Sequence, residues 1–168
     1  MNIFSRVTAA LAAAAISTLA LLGCDEQKIK ELEEGLSTEA DVRAKFGEPE
    51  RIWNEEDGSR TFEYNRQPAG AKNYMITIGA DGKMSALRQV LAPHVFARIV
   101  PGMEENEVRR MLGKPAKMMT YKLKPETDWD WNYIDPPTRE MQFTVTFGSD
   151  GRVLRTLNRE RLPDESRG

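Results

Sequence analysis

The chain has 168 residues, with 24 basic and 26 acidic side chains, one histidine and one cysteine. A net charge of −2 with both signs interspersed gives no electrostatic reason to expect a nucleic-acid partner. One cysteine allows no internal disulfide and one histidine no multi-histidine metal site, so the fold must be held by its core.

Met1 to Leu22 carries one cation, Arg6, no acid, and an apolar run from Val7 to Leu22 broken only by Thr8, Ser17 and Thr18. That is the order of a secretory signal. The run is shorter than the roughly 20 apolar residues a permanent membrane-spanning helix needs, and Asp25 and Glu26 follow at once. Residues 1–23 are therefore expected to be removed. The leader ends Leu21, Leu22, Gly23, Cys24, a string that resembles the lipobox of bacterial lipoproteins. The resemblance implies a diacylglyceryl group on the Cys24 sulfur, cleavage before Cys24, and acylation of the new amine by a chain such as palmitate. Two or three chains, at about 0.8 kcal/mol per buried methylene, make a stable anchor, whereas one is marginal. The alternative is a buried or chance cysteine. Gly23, Leu21 and the end of the apolar run all coincide at this point and favour lipidation. Loss of Arg6 with the leader makes the net charge −3. About 145 residues remain, enough for one compact domain or two small halves.

Past the anchor, Ile29, Leu32 and Leu36 recur at helical spacing, predicting a helix over Glu26–Glu34 that breaks at Gly35. Val42 and Phe46 predict a short amphipathic helix, which Thr38 and Asp41 can open as a capping box. Gly47 is expected to end it in a left-handed cap, and Pro49 prevents it from resuming. Strands are predicted at Arg51–Glu55, Arg60–Asn65, Tyr74–Gly79 and Met84–Val90, with Asp81-Gly82 supplying positive backbone angles for a tight hairpin.

The same phrase then returns about 66 to 69 residues later. A helix is expected over Pro93–Val100, stopped by Pro101 and Gly102. A second follows, with Val108, Met111 and Leu112 on one face, Gly113 as its cap and Pro115 beyond; Glu104 and Glu107 stand where the first copy has its capping box. Strands are predicted at Lys117–Leu123, Asp128–Ile134, Met141–Gly148 and Arg152–Asn158, with Asp150-Gly151 repeating the hairpin signal. The expected fold class is α+β, two tandem helix-helix-antiparallel-sheet units: 24–91 for the first, 92–162 for the second, and 163–168 a frayed tail.

The phrase at Gly102 to Pro115, the Trp-Asp-Trp-x-Tyr strand at Trp129 to Tyr133, and the strand and turn at Phe143 to Arg152 resemble the SmpA/OmlA/BamE lipoprotein family. The first copy looks like a more divergent version of the unit. The resemblance implies an accessory periplasmic lipoprotein of the machinery that assembles β-barrel proteins in the outer membrane, with no catalysis and no cofactor. The doubled layout is also similar to the β-lactamase-inhibitor protein fold, in architecture only. Two departures stand out: the segment between Cys24 and the first helix is very short, and the unit is doubled.

Trp129, Trp131 and Tyr133 share one strand face, as anchors of a protein-binding surface would. Burial beneath the helices is the competing reading, favoured for at least two of the three. Trp53 and Tyr64 carry the same ambiguity. Asp128 and Asp130 share the opposite face and allow an acid-base pair or a cation site, although two solvated acids explain them better. His94 stands alone, with no serine motif near it, so an enzyme and a small-molecule substrate are not expected. Arg152, Arg155, Arg159 and Arg161 form a basic strand and tail that could touch anionic lipid headgroups. Ordinary surface charge is the better reading, since Glu160 and Asp164 interleave. The expectation is a non-catalytic interaction module, lipid-anchored in the cell envelope and facing the periplasm, with an envelope protein as partner. A stand-alone protein-binding or inhibitory lipoprotein is the alternative. The family resemblance favours the outer membrane; Asp25 directly after Cys24 is compatible with retention in the inner one.

Overall fold

Alternating apolar and polar residues build two sheets, and short helices cover them. The computed structural model describes residues 24–161; the leader expected at 1–23 and the tail expected at 163–168 lie outside the described residues. In chain order the elements are α1 (Cys24–Lys30), α2 (Glu39–Phe46), β1 (Arg51–Asn54), β2 (Arg60–Asn65), β3 (Asn73–Ile78), β4 (Met84–Gln89), α3 (Pro93–Phe96), α4 (Glu105–Leu112), β5 (Lys117–Thr120), β6 (Glu126–Asp135), β7 (Arg139–Gly148) and β8 (Val153–Glu160). The strands form two antiparallel four-stranded sheets, ordered β1-β2-β3-β4 and β5-β6-β7-β8. The fold class is α+β. Among the described residues no helix is long and apolar enough to cross a membrane.

The helix ends follow their local chemistry. Thr38 and Asp41 make the expected capping box, with the Thr38 N–H donating to Asp41 at 2.8 Å. In α4 the Glu104 N–H donates to Glu107 at 2.7 Å. Gly47 and Gly113 do not take the expected left-handed cap. Their φ values, 82° and 75°, are positive, but ψ is extended at −161° and −171°. That combination belongs to glycine, and it turns the chain straight into the Pro49 and Pro115 segments.

Two helices are shorter than their periodicity predicts. The chain leaves α1 after Lys30 because residues 34–37 line the outer edge of β4: the Gly35 N–H donates to the Met84 carbonyl at 2.7 Å, and the Met84 N–H to that of Ser37 at 2.7 Å. The last residues predicted for α3 form single turns instead, with Ile99 N–H bonded to Phe96 O at 3.0 Å. The β6–β7 hairpin is longer than expected, because pairing continues through Tyr133↔Met141 to Asp135↔Arg139. β5 stops at Thr120, short of the predicted Leu123. β8 starts at Val153, one residue late, because a bulge between Thr146 and Phe147 breaks the register there. A second bulge, between Thr77 and Ile78, sits at the matching place in the first sheet.

The hairpin turns also differ from expectation. Gly82 and Gly151 have φ of 79° and 71°, but among the described residues none other than glycine has positive φ. Asp81 and Asp150 act through their side chains, each accepting the N–H two residues on at 3.1 Å.

The first sheet buries Phe62, Tyr64, Ile76 and Ile78 under Val42 and Phe46 of α2, with Ile29 and Leu32 packed against them. The second buries Trp131, Phe143, Val145 and Phe147 under Phe96, Val108 and Leu112. Helix α4 serves both sheets. Its apolar side covers the second, while Arg109 reaches Glu63, which alternation places on the face of the first sheet away from α2. Asn73 in β3 reinforces this seam by donating to the carbonyls of Leu112 and Lys114 at 2.8 and 3.1 Å.

Candidate interaction surface

The structure distributes the aromatic residues singled out in the sequence over three environments. Trp131 is fully buried and its indole N–H donates to the Gly113 carbonyl at 3.0 Å. Tyr133 is buried against Phe96, ring centroids 4.8 Å apart. Tyr64 is buried too; its hydroxyl donates to the Gly47 carbonyl at 3.0 Å, and burial pushes its pKa up to about 12. These three have no surface left to offer a partner, because the helices take the face they occupy. Trp129 is half-buried, with Phe147 at 4.8 Å. Trp53 is half-buried, with the guanidinium groups of Arg51 and Arg110 each 4.8 Å from its ring centroid, and its indole N–H has no protein partner.

What the second sheet leaves open is its other face. Alternation and register set the rows there: Met119, Asp128, Thr146, Arg155; then Lys117, Asp130, Thr144, Leu157; then Asn132, Gln142, Arg159. The acids are held, not simply solvated. Thr144 and Thr146 donate their hydroxyls to Asp130 and Asp128, each at 2.6 Å, and the Tyr121 hydroxyl donates to Asp128 at 2.9 Å. That carboxylate keeps the Tyr121 phenol above its ordinary pKa. Asp130 is only 7% exposed, which corrects the expectation of two freely solvated acids. Among the described residues no group of three or more histidine, cysteine and acidic side chains is placed to hold a metal.

The three arginines proposed as lipid contacts do not form one patch. Arg152 turns to Glu104 and the Gly102 carbonyl on the helical side, at 2.8 and 2.9 Å. Arg155 lies on the open face against Glu126 at 2.6 Å, and Arg159 donates to Gln142 at 2.8 Å. Each is already partnered within the chain. Hydrogen bonds from Arg155, then Lys124, hold the Glu126 carboxyl down to about 2 from an ordinary 4.5. Because the folded value is the lower one, the contribution of this cluster is present above about pH 4.5 and is lost as the pH falls through about 2. Glu126→Gln is therefore expected to lower the urea midpoint at neutral pH, with the gap to wild type closing on acidification. A gap independent of pH would refute the assignment.

At the far end of this face β6 outruns β5, and the chain closes the exposed edge with a side chain. Gln67 donates to the Asn132 carbonyl at 2.7 Å and accepts its N–H at 3.1 Å, standing in for a neighbouring strand. Nearby, Arg66 forks onto Asp25, with contacts of 2.8 and 3.2 Å. The residue after Cys24 is thus tied directly to the β2–β3 loop. His94 is exposed at the start of α3.

The residues that join the halves were not singled out in the sequence. Glu63, Gln67 and Asn73 are all buried polar groups with partners some 40 to 65 positions away. Alternation with Phe62 and Tyr64 puts Glu63 on the face expected to be wet, so nothing in the spacing signalled that α4 covers it.

No family model matches the chain, and no curated protein matches it. Solved structures that are similar in part include these two. One is described as osmotically inducible lipoprotein OsmE, 21% identical over 39% of this chain and 68% of that one, with a TM-score of 0.36. The other is a DUF4309 family protein, YjgB, from Bacillus subtilis, 22% identical over 77% of this chain and 82% of that one, with a TM-score of 0.30. Neither is close enough to assign a function.

Proposed function

We propose that this chain is a lipid-anchored, non-catalytic interaction module of the bacterial cell envelope, facing the periplasm and accessory to the assembly of outer-membrane β-barrel proteins. The observation that carries the reading is the leader ending in Leu21-Leu22-Gly23-Cys24. The Arg66–Asp25 contact supports it from the other side: with no linker between Cys24 and the body, acyl chains on Cys24 would hold the two sheets at the bilayer surface.

We read the two halves as tandem copies of one SmpA/OmlA/BamE-like unit in a layout like that of the β-lactamase-inhibitor protein. Two pairs of matching interactions support this. Tyr64 and Trp131 each donate to the carbonyl of the glycine that ends the preceding helix. The bridges Thr38↔Lys83 and Glu104↔Arg152 tie each helix start to the turn after the third strand of its sheet. The open face of β5–β8 is the surface we assign to a protein partner.

Fractionation of cells expressing the full chain tests the anchor. Wild type is expected in the membrane fraction at the processed size, and Cys24→Ala unprocessed and released from that fraction by a carbonate wash. A Cys24→Ala chain processed and retained like wild type would sink the reading. Density-gradient separation then decides between the outer membrane, which we favour, and the inner membrane that Asp25 allows. Recovery of barrel-assembly subunits from solubilised membranes supports the accessory role. Their absence beside another stoichiometric partner would support a stand-alone binding lipoprotein.

A further inference from the structure

We infer that the groove bounded by β3, β4, α3 and α4 receives an acidic segment of a partner protein. The groove has a volume of about 660 Å³, and its rim carries Arg88, His94, Arg98 and Arg110 over an apolar floor that includes Met75 and Met111. No carboxylate lines it. In a chain whose acids outnumber its bases, that separation of charge is the feature that identifies a ligand class.

The cations of the groove differ in how they are partnered within the chain. Arg110 is held in place by Glu55 at 3.0 Å and by the face of Trp53, so its position is set before a ligand arrives. Arg88 and Arg98 have no carboxylate within 4.0 Å among the described residues. Two guanidinium groups without a carboxylate partner, Arg88 and Arg98, beside two thioether side chains suit carboxylates alternating with apolar side chains: arginine forks onto carboxylate, and methionine adapts to the shape of its contact.

Position favours a protein over the membrane. Arg88 pairs with Met75 across β3 and β4, on the sheet face that α4 partly covers. Helix α1, which begins at Cys24, packs through Ile29 against the cluster on the opposite face. The first sheet therefore lies between the anchor helix and the groove. This inference rests on the reading of the chain as an interaction module and adds a second contact surface, apart from the open face of β5–β8, with the chemistry of what it receives.

The test uses the full chain in phosphatidylcholine nanodiscs with ¹³C-labelled methionine methyls. The probe is a capped pentapeptide of alternating glutamate and leucine, with the lysine–leucine analogue as control. The acidic peptide is expected to shift the Met75 and Met111 methyls, with affinity falling as salt rises, and the basic peptide to leave them unmoved. Arg88→Ala with Arg98→Ala should weaken binding at least about tenfold, the loss of a charge-assisted contact, while leaving the other methionine signals in place. Absence of a shift at millimolar peptide, or equal binding by the double variant, overturns the inference. A Met111 shift on changing the nanodisc lipid to phosphatidylglycerol, with none from the peptide, overturns it in favour of a lipid. Membrane release of Cys24→Ala is independent of all these outcomes, so failure of the groove and failure of the anchored-module reading are separable.

Discussion

Arg109→Ala is expected to destabilise the chain by about 3–5 kcal/mol, as the breaking of a buried ion pair does when one charge is left behind. Glu63 has no exposed surface. Its carboxylate receives Arg109 through both Nε and a terminal nitrogen, at 2.8 to 3.2 Å, and also accepts the Lys114 N–H at 2.9 Å. Removing the guanidinium leaves one backbone donor for a charge cut off from water. The substitution also loosens a larger network, since Arg109 lies 3.9 Å from Glu50, which Lys114 binds at 2.6 Å. Urea unfolding measures the loss. The pair's desolvation cost nearly cancels its attraction, so Glu63→Leu combined with Arg109→Met should recover most of the stability. A loss below about 1 kcal/mol for Arg109→Ala, the size typical of an exposed pair, would show that the seam between the sheets does not depend on this contact.

That seam explains which parts of the fold were legible in the sequence. Apolar periodicity reports only that a residue turns away from water, so Val42, Phe46, Val108 and Leu112 were placed on the inner sides of their helices correctly. It cannot report which sheet covers a polar residue. Glu63 and Arg109 read as surface charges because their partnership spans 46 positions and exists only once α4 lies between the two sheets. The glycine signals were right about position and incomplete about geometry. Gly47 and Gly113 end their helices, but with extended ψ, because the proline two residues on must be reached without another turn. Aromatic identity was the weakest guide to the candidate surface. A tryptophan on a half-covered strand suits core and interface alike, and only the helices above it decide between them. The open face was nevertheless implicit in the alternation of Asp128 and Asp130 with the tryptophans, while the threonines that bind those acids belong to a strand whose register no spacing rule supplies.

The second large effect is expected at Trp131, where Trp131→Ala should cost about 3–5 kcal/mol, the range for removing a buried large aromatic side chain. Its ring is fully enclosed, 6.1 Å from Trp129 and 6.4 Å from Phe143, centroid to centroid. Truncation would open a cavity in the core cluster that includes Leu112 and leave the Gly113 carbonyl without its indole donor. The two parts of the loss can be separated. Trp131→Phe keeps most of the packing and removes the N–H, so it should lose the hydrogen bond, about 0.5–1.5 kcal/mol, plus a smaller cavity term. The lost bond matters beyond its own energy because Gly113 ends α4, and α4 is the element both sheets share. Trp131→Ala should therefore also raise amide exchange at Asn73, whose side chain holds the adjacent Leu112 carbonyl from the first sheet. Exchange that increases only within β5–β8 would mean that the sheets respond independently, and that α4 does not couple them.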